Sequence, residues 1–396
     1  MNKQKLLGDT IEILGHLVSY DTTSRNSNLP LINWVETRTR GLGAVTRRIP
    51  NRDGTKANLI VSFGPLTKPG GIVLSGHTDV VPVDDQDWTS DPWTLVARDG
   101  RFYGRGTCDM KGFAACALAL APHMAEAKLT APIHIALTYD EEIGCLGAPS
   151  LVRALGLDYA PLDCVIIGEP SDMRVVSGQK GLAVYQVEIT GKAAHSSQVQ
   201  QGVSAIMEAV PLLAKIYMLA DQARAKAPKH SSFEPAGTTI TIGVLQGGTA
   251  SNILAQSCHF IFDIRFELGD DPKAYQTSIA QWVEELDAAI KLKAPEGGAV
   301  MTQRSFSPAM LPETNGKAEA MARALTGDNS MRAVAYATEG GIFQLGGLST
   351  VICGPGSILQ AHQPDEFIEM SQLQACVDFM IALVQRMRGD SGTFLS

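Results

Sequence analysis

Apolar positions recur with two different periods along this chain, and the change between them divides it. Up to residue 177, apolar runs of strand length alternate with helical stretches. Ile11, Leu14, Leu17 and Val18 share one face of a first amphipathic helix. Residues 58–63, 71–75, 133–139 and 163–167 read as short buried strands, and residues 113–124 as an Ala-rich buried helix. Strand–helix alternation of this kind predicts an α/β fold, a mostly parallel central sheet flanked by helices.

The period changes near residue 180. Tyr185, Val187 and Ile189 point one way while Gln186 and Glu188 point the other. Phe260, Phe262, Ile264 and Phe266 alternate with polar His259, Asp263 and Arg265. These are half-buried strands of a sheet with one wet face. Helices are expected at 203–218 and 272–292. The strand–helix alternation then resumes, with a strand at 298–304, a helix at 315–325, a strand at 350–353 and a last helix at 371–388. The expected organisation is one α/β domain (1–177 and 294–396) interrupted by an inserted α+β domain (178–293).

The 396 residues fit two domains at ~150 residues each. Apolar residues make up 45% and charged residues 19%, the profile of a folded chain. A net charge of −8 argues against a coat for nucleic acid or an anionic membrane. No stretch approaches the ~20 apolar residues of a membrane helix. Asp9 and Glu12 interrupt what would be the apolar core of a signal peptide, so the expected location is the cytoplasm. The seven cysteines include no C-x-x-C pair. They read as reduced, mostly buried thiols, which leaves His, Asp and Glu as candidate metal ligands.

Functional groups of open α/β sheets collect at the carboxyl ends of strands, and five motifs fall there. Ser75-Gly76-His77-Thr78-Asp79 follows a buried strand. A neutral histidine is a common metal ligand whose other nitrogen takes a carboxylate partner, and Asp79 is two residues on; a polar turn is the alternative. GRGTCDMKG (104–112) is a glycine-rich loop without the spacing of a phosphate loop. Its Asp109 suits a cation better than an anion, with a helix-capping aspartate as the alternative. Asp140-Glu141-Glu142 places three carboxylates together, tolerable beside a cation or as a solvated turn. Gly168-Glu169-Pro170 follows another apolar strand. The last motif, Ala361-His362-Gln363-Pro364-Asp365-Glu366, follows the turn Gly354-Pro355-Gly356. A mixed N/O donor set suits Zn²⁺, Co²⁺ or Mn²⁺. If two metals bind, a carboxylate must bridge them, and Asp109 is placed for it.

SGHTDVVP, GRGTCDMKG, DEE, GEP and AHQPDE, in this order, resemble the dinuclear-zinc amidohydrolases. That family includes acetylornithine deacetylases, succinyl-diaminopimelate desuccinylases, aminoacylases and glutamate carboxypeptidases. DPWTLVARDGRFYGRGTCDMKGF, ATEGG and GPGSILQAHQPDE resemble its acetylornithine deacetylase branch. The resemblance implies two divalent metal ions per chain, Zn²⁺ or else Co²⁺. His77, Asp109 and Glu169 would hold one; Asp109, Glu142 and His362 the other. Asp79 would orient His77, and Glu141 would be the general base. A cis peptide is implied between Asp109 and Met110. The inserted domain would act as a lid and mediate homodimerisation. Its His195 would reach an active site, its own or a partner's, and Asn252 and Arg265 would face substrate, as would Gly354 and Gly356.

The implied reaction is metal-dependent hydrolysis of a small-molecule N-acyl amino acid, N2-acetyl-L-ornithine in arginine biosynthesis. Gln179-Lys180-Gly181-Leu182 stands where desuccinylases carry Arg-Arg-Gly-Ser, which removes cations a succinyl carboxylate needs. Glu339, in Thr338-Glu339-Gly340-Gly341, offers an anion to the ammonium of ornithine. Desuccinylation and deacylation of other N-acyl amino acids stay open, as does a metal-free binding protein on the same fold. His16, His123, His134, His230 and His259 are read as structural.

Overall fold

The computed structural model describes residues 2–267 and 269–389; Met1, Leu268 and residues 390–396, which belong to the expected segments, lie outside the described residues. The chain forms two compact units. One comprises Met1–Gly178, Met310–Arg332 and Thr338–Ser396; the other Gln179–Ala309 and Ala333–Ala337. Among the described residues, no helix is long and apolar enough to cross a membrane.

The first unit is built on a six-stranded sheet in the order Val45–Pro50, Ala57–Phe63, Ile133–Thr138, Gly71–His77, Leu162–Pro170, Thr350–Gly354. The first two pairings are antiparallel and the remaining three parallel. Ala57–Phe63, Ile133–Thr138 and Gly71–His77 are buried at every position, as continuous apolar runs between helical layers must be. Helices Lys3–Val18, Gly112–Ala119 and Met370–Arg386 pack on one another and share the main core with these strands. The Ala-rich helix expected as one piece over 113–124 breaks at Leu120 into Gly112–Ala119 and Ala121–Glu126. Pro122 lacks the amide that would continue the ladder.

The second unit holds a four-stranded antiparallel sheet in the order Thr239–Gly247, Ser257–Phe266, Gly181–Thr190, Gly298–Ser307. Tyr185, Val187, Phe260, Phe262 and Ile264 share its core with residues of helices Ala205–Ala225 and Pro272–Lys293. The strand expected over 298–304 belongs here and not to the resumed α/β domain. It pairs antiparallel with Gly181–Thr190 over its whole length, which moves the second boundary from residue 293 to Ala309.

Candidate metal centre

Strand register delivers the first group of side chains. His77 ends Gly71–His77 and pairs in parallel with Thr138, so Asp79 and the 140–142 turn leave the sheet at the same edge. Glu169 lies near the end of Leu162–Pro170, the parallel neighbour on the other side. Close packing fixes the depth of that strand. A Cβ at Gly168 would stand 2.0 Å from the Phe113 ring, so only glycine fits. Phe113 in turn follows the irregular turn Thr107–Lys111 that carries Asp109. The peptide between Asp109 and Met110 is cis, as the resemblance implies.

The donors converge on Asp109. Its Oδ1 is 2.9 Å from His77 Nε2, and its Oδ2 is 3.3 Å from His362 Nε2. His362 Nε2 is also 3.0 Å from Glu142 Oε2, and Glu169 Oε1 is 3.6 Å from His77 Nε2. Donor atoms of His77, Glu141 and Glu169, and again of His77, Asp109 and Glu142, lie within 4.8 Å of one another. The structure thus brings together His77, Asp109, Glu142, Glu169 and His362. Glu141, expected as a base only, stands close enough to share in a donor group.

Asp79 does its work differently from expectation. His77 Nδ1 faces the main-chain carbonyl of Asp79 at 2.8 Å, whereas the carboxylate is 3.8 Å away. The carbonyl accepts the Nδ1 proton and makes Nε2 the nitrogen that faces the donor cluster. The Asp79 carboxylate accepts instead from Ser24 Oγ at 2.7 Å and from the amides of Glu141 and Glu142 at 3.1 and 3.2 Å. It holds the acidic turn in place.

This is a buried cluster of like charges. Burial pushes Glu141, Glu142 and Glu169 up, Glu142 to about 7, and the neighbouring carboxylates add to it. Burial opposes ionisation of Asp109 too, but hydrogen bonds from His362 and His77 hold it below the usual range. His362 is pushed up to about 10 by Asp109 and Glu142. Burial pulls His77 down, yet Asp109, Glu169 and Glu141 outweigh it and raise it. Divalent cations neutralise such a cluster and displace the histidine protons as they bind, so the donor set fits them.

Glu339, Gly354 and Gly356, expected at the substrate, are all buried. Glu339 is 1% exposed, and its buried Oε1 makes no hydrogen bond of ordinary length. Burial raises it to about 7, tempered by the Thr138 and Ser75 hydroxyls. It does not present an anion at the surface. It precedes helix Gly340–Leu345 without capping it through its side chain. Gly354 and Gly356 are buried, and packing explains both. A Cβ on Gly354 would meet the Gly168 carbonyl oxygen at 2.0 Å, and one on Gly356, where φ is +84°, would meet Cys108 Sγ at 2.5 Å.

In the second unit, His195 and Asn252 are neighbours. The Ser196 amide donates to the Asn252 carbonyl at 2.9 Å, and His195 pairs with Ile253. His195 Nδ1 accepts from the Ser197 amide at 3.2 Å, which puts the proton of the neutral ring on an exposed Nε2. Arg265 lies 3.7 Å from Asp263 and donates to the Ala335 carbonyl at 3.4 Å.

Sequence reasoning assigned no role to Ser24, Arg105 or Glu366, all buried beside the donors. The last two stand inside quoted motifs, a signal that was available.

Residues 73–386 match peptidase family M20/M25/M40. Acetylornithine deacetylase from Myxococcus xanthus is 34% identical over 374 residues, 92% of this chain and 93% of that protein. A metallo-carboxypeptidase of the family from Sulfolobus solfataricus superposes with a TM-score of 0.76 at 16% identity, covering 95% of this chain and 98% of that one. A dinuclear metal binding peptidase from Bacillus subtilis gives a TM-score of 0.62 at 14% identity over 97% and 99% of the two chains. The match over most of the chain and the donor cluster at its strand ends agree: this chain belongs to peptidase family M20/M25/M40, hydrolases that act on amide bonds.

Proposed function

We propose that the chain hydrolyses N2-acetyl-L-ornithine to L-ornithine and acetate. The observation that carries a two-cation amidohydrolase is Asp109, whose two oxygens face two different histidines. The substrate rests on relatives named acetylornithine deacetylase at 33–34% identity over 92% of this chain. His77, Asp109 and Glu169 would hold one cation and Asp109, Glu142 and His362 the other, Zn²⁺ first and Co²⁺ second. Bound there, the cations supply Lewis-acid polarisation of the amide carbonyl and a water acidic enough to lose a proton near neutral pH.

The chain's own residues do the rest. Glu141 takes the proton of the attacking water and delivers it to the leaving nitrogen, a role worth ~10²–10⁴-fold. Asp79 keeps Glu141 and Glu142 in position through their amides. His195, with Nε2–H exposed, is a donor for the developing oxyanion, and Asn252 and Arg265 are polar contacts for the substrate. Desuccinylation is disfavoured by Lys180, whose ammonium is engaged by the Pro235 and Gly237 carbonyls and is not free for a distal carboxylate.

Homodimerisation through the second unit is part of this reading. Its edge strand Thr239–Gly247 is largely exposed, and Met207, Val210, Tyr217 and Met218 are apolar and exposed on helix Ala205–Ala225. The buried cysteine thiols support a cytoplasmic location. Comparing kcat/KM for N-acetylornithine, N-succinyl-diaminopimelate and N-acetylmethionine on zinc-loaded protein tests the substrate. A preference for either of the last two would replace it, and activity on none would favour a binding protein.

A further inference from the structure

Glu366 is 1% exposed, and each oxygen of its carboxylate takes two donors. Oε1 accepts from the amides of Cys108 at 2.8 Å and Asp109 at 3.0 Å. Oε2 accepts from the Gly106 amide at 2.9 Å and from Arg105 Nη1 at 2.8 Å. Four donors fill the lone-pair sites of one carboxylate. Three of them are consecutive or near-consecutive amides of the turn that carries Asp109.

The same carboxylate is tied to the other histidine's segment. Glu366 lies four residues after His362. Arg105 Nη1 also donates to the Gln363 carbonyl at 3.2 Å. Arg105 Nη2 donates to Gln86 Oε1 at 2.5 Å, and Gln86 Nε2 donates to the His362 carbonyl at 3.0 Å. Asp109 and His362 are far apart in the chain and leave different elements, yet one buried ion pair binds both backbones. The four donors to Glu366 are three backbone amides and Arg105, none of them a side chain of the donor cluster.

We propose that Glu366, with Arg105, is the positioning residue of the dinuclear centre: it fixes the backbone of Asp109 so that its two oxygens face His77 and His362, and holds the His362 segment in register with that turn. The proposal rests on the two-cation reading given above. Glu366 acts through Asp109 and touches neither cation nor substrate. Because Asp109 serves both sites, a loosened turn weakens both together. Removing a hydrogen-bonded partner behind a metal ligand costs 10–100-fold in metal affinity or activity.

The test uses full-length protein stripped of metal, with Zn²⁺ titrated against a chromophoric chelator. Glu366→Gln should weaken Zn²⁺ at both sites by 10–100-fold. Its kcat should fall at fixed Zn²⁺ and recover in part as Zn²⁺ is raised, with a smaller change in KM. Glu366→Asp, which keeps the charge, should restore part of the affinity; should the Gln variant not fold, the Asp variant alone should still bind Zn²⁺ more weakly than wild type. Leu6→Ala, a core truncation in helix Lys3–Val18, controls for lost stability. Wild-type Zn²⁺ affinity in the Glu366 variants overturns the proposal, as does a loss no greater than that of Leu6→Ala. Wild-type protein that takes up no Zn²⁺ overturns the two-cation reading and the proposal with it.

Discussion

The two carboxylate oxygens of Asp109 are divided between two histidines, Oδ1 at 2.9 Å from His77 Nε2 and Oδ2 at 3.3 Å from His362 Nε2. On the two-cation reading, a side chain so placed serves both cations. Asp109→Ala should therefore lose both, while His362→Ala loses one preferentially. Metal content of dialysed protein checks this; equal content in the two variants would remove the bridging role.

Glu141→Gln removes the proposed proton carrier while leaving His77, Asp109, Glu142, Glu169 and His362 intact. Metal content should stay near wild type, and kcat should fall by ~10²–10⁴-fold. A variant that keeps more than about a tenth of wild-type kcat would show that another group moves the proton.

Glu339 is 1% exposed, and burial raises its carboxyl to about 7. Glu339→Gln should change kcat/KM for N-acetylornithine and N-acetylmethionine by the same factor. A direct ammonium contact would instead be worth about 1.5–3 kcal/mol, at least a tenfold selective loss on N-acetylornithine. Steady-state kinetics on both substrates with one variant separates the two.

His134 is buried in strand Ile133–Thr138, with Ser62 Oγ at 2.8 Å from Nδ1, the ring of Tyr159 edge-on at 4.8 Å, and no partner for Nε2. Burial pushes it down to about 4. The unfolded chain, titrating near 6.5, binds the proton first. Stability is thus full above about pH 6.5 and is lost as pH falls toward 4, by about 2 kcal/mol at pH 5. His134→Gln should flatten the fall in melting temperature between pH 7 and 5. Parallel curves for variant and wild type would count against it.

Much of the centre was legible in the sequence because strand ends are. The short buried run over 71–75 followed by His77-Thr78-Asp79 announces a polar edge, and so does the run before Asp140-Glu141-Glu142. Strand Gly298–Ser307 was assigned to the wrong sheet because it is an edge strand, exposed or half-exposed at nearly every position. Without alternation, nothing in it says which sheet it joins. Which group of Asp79 meets His77 was not legible, because sequence shows a carboxylate and hides the main-chain carbonyl. The Glu366 clamp shows in the sequence only as residues inside two motifs, for a related reason: a carboxylate that accepts from backbone amides leaves no periodic signature and sets no requirement on its partners' side chains.

The order of the chain also bears on when the centre comes into being during synthesis. Asp109 and the carboxylate that holds its turn are 257 positions apart, and the whole second unit is translated between them. At about 5–20 residues per second, a ribosome takes roughly 13–50 s to cover that distance. From residue 169 to residue 361 the nascent chain carries His77, Asp109, Glu142 and Glu169, but neither His362 nor its clamp. On the two-cation reading, tight uptake of both cations waits until residue 366 has been made, after the whole second unit has been translated.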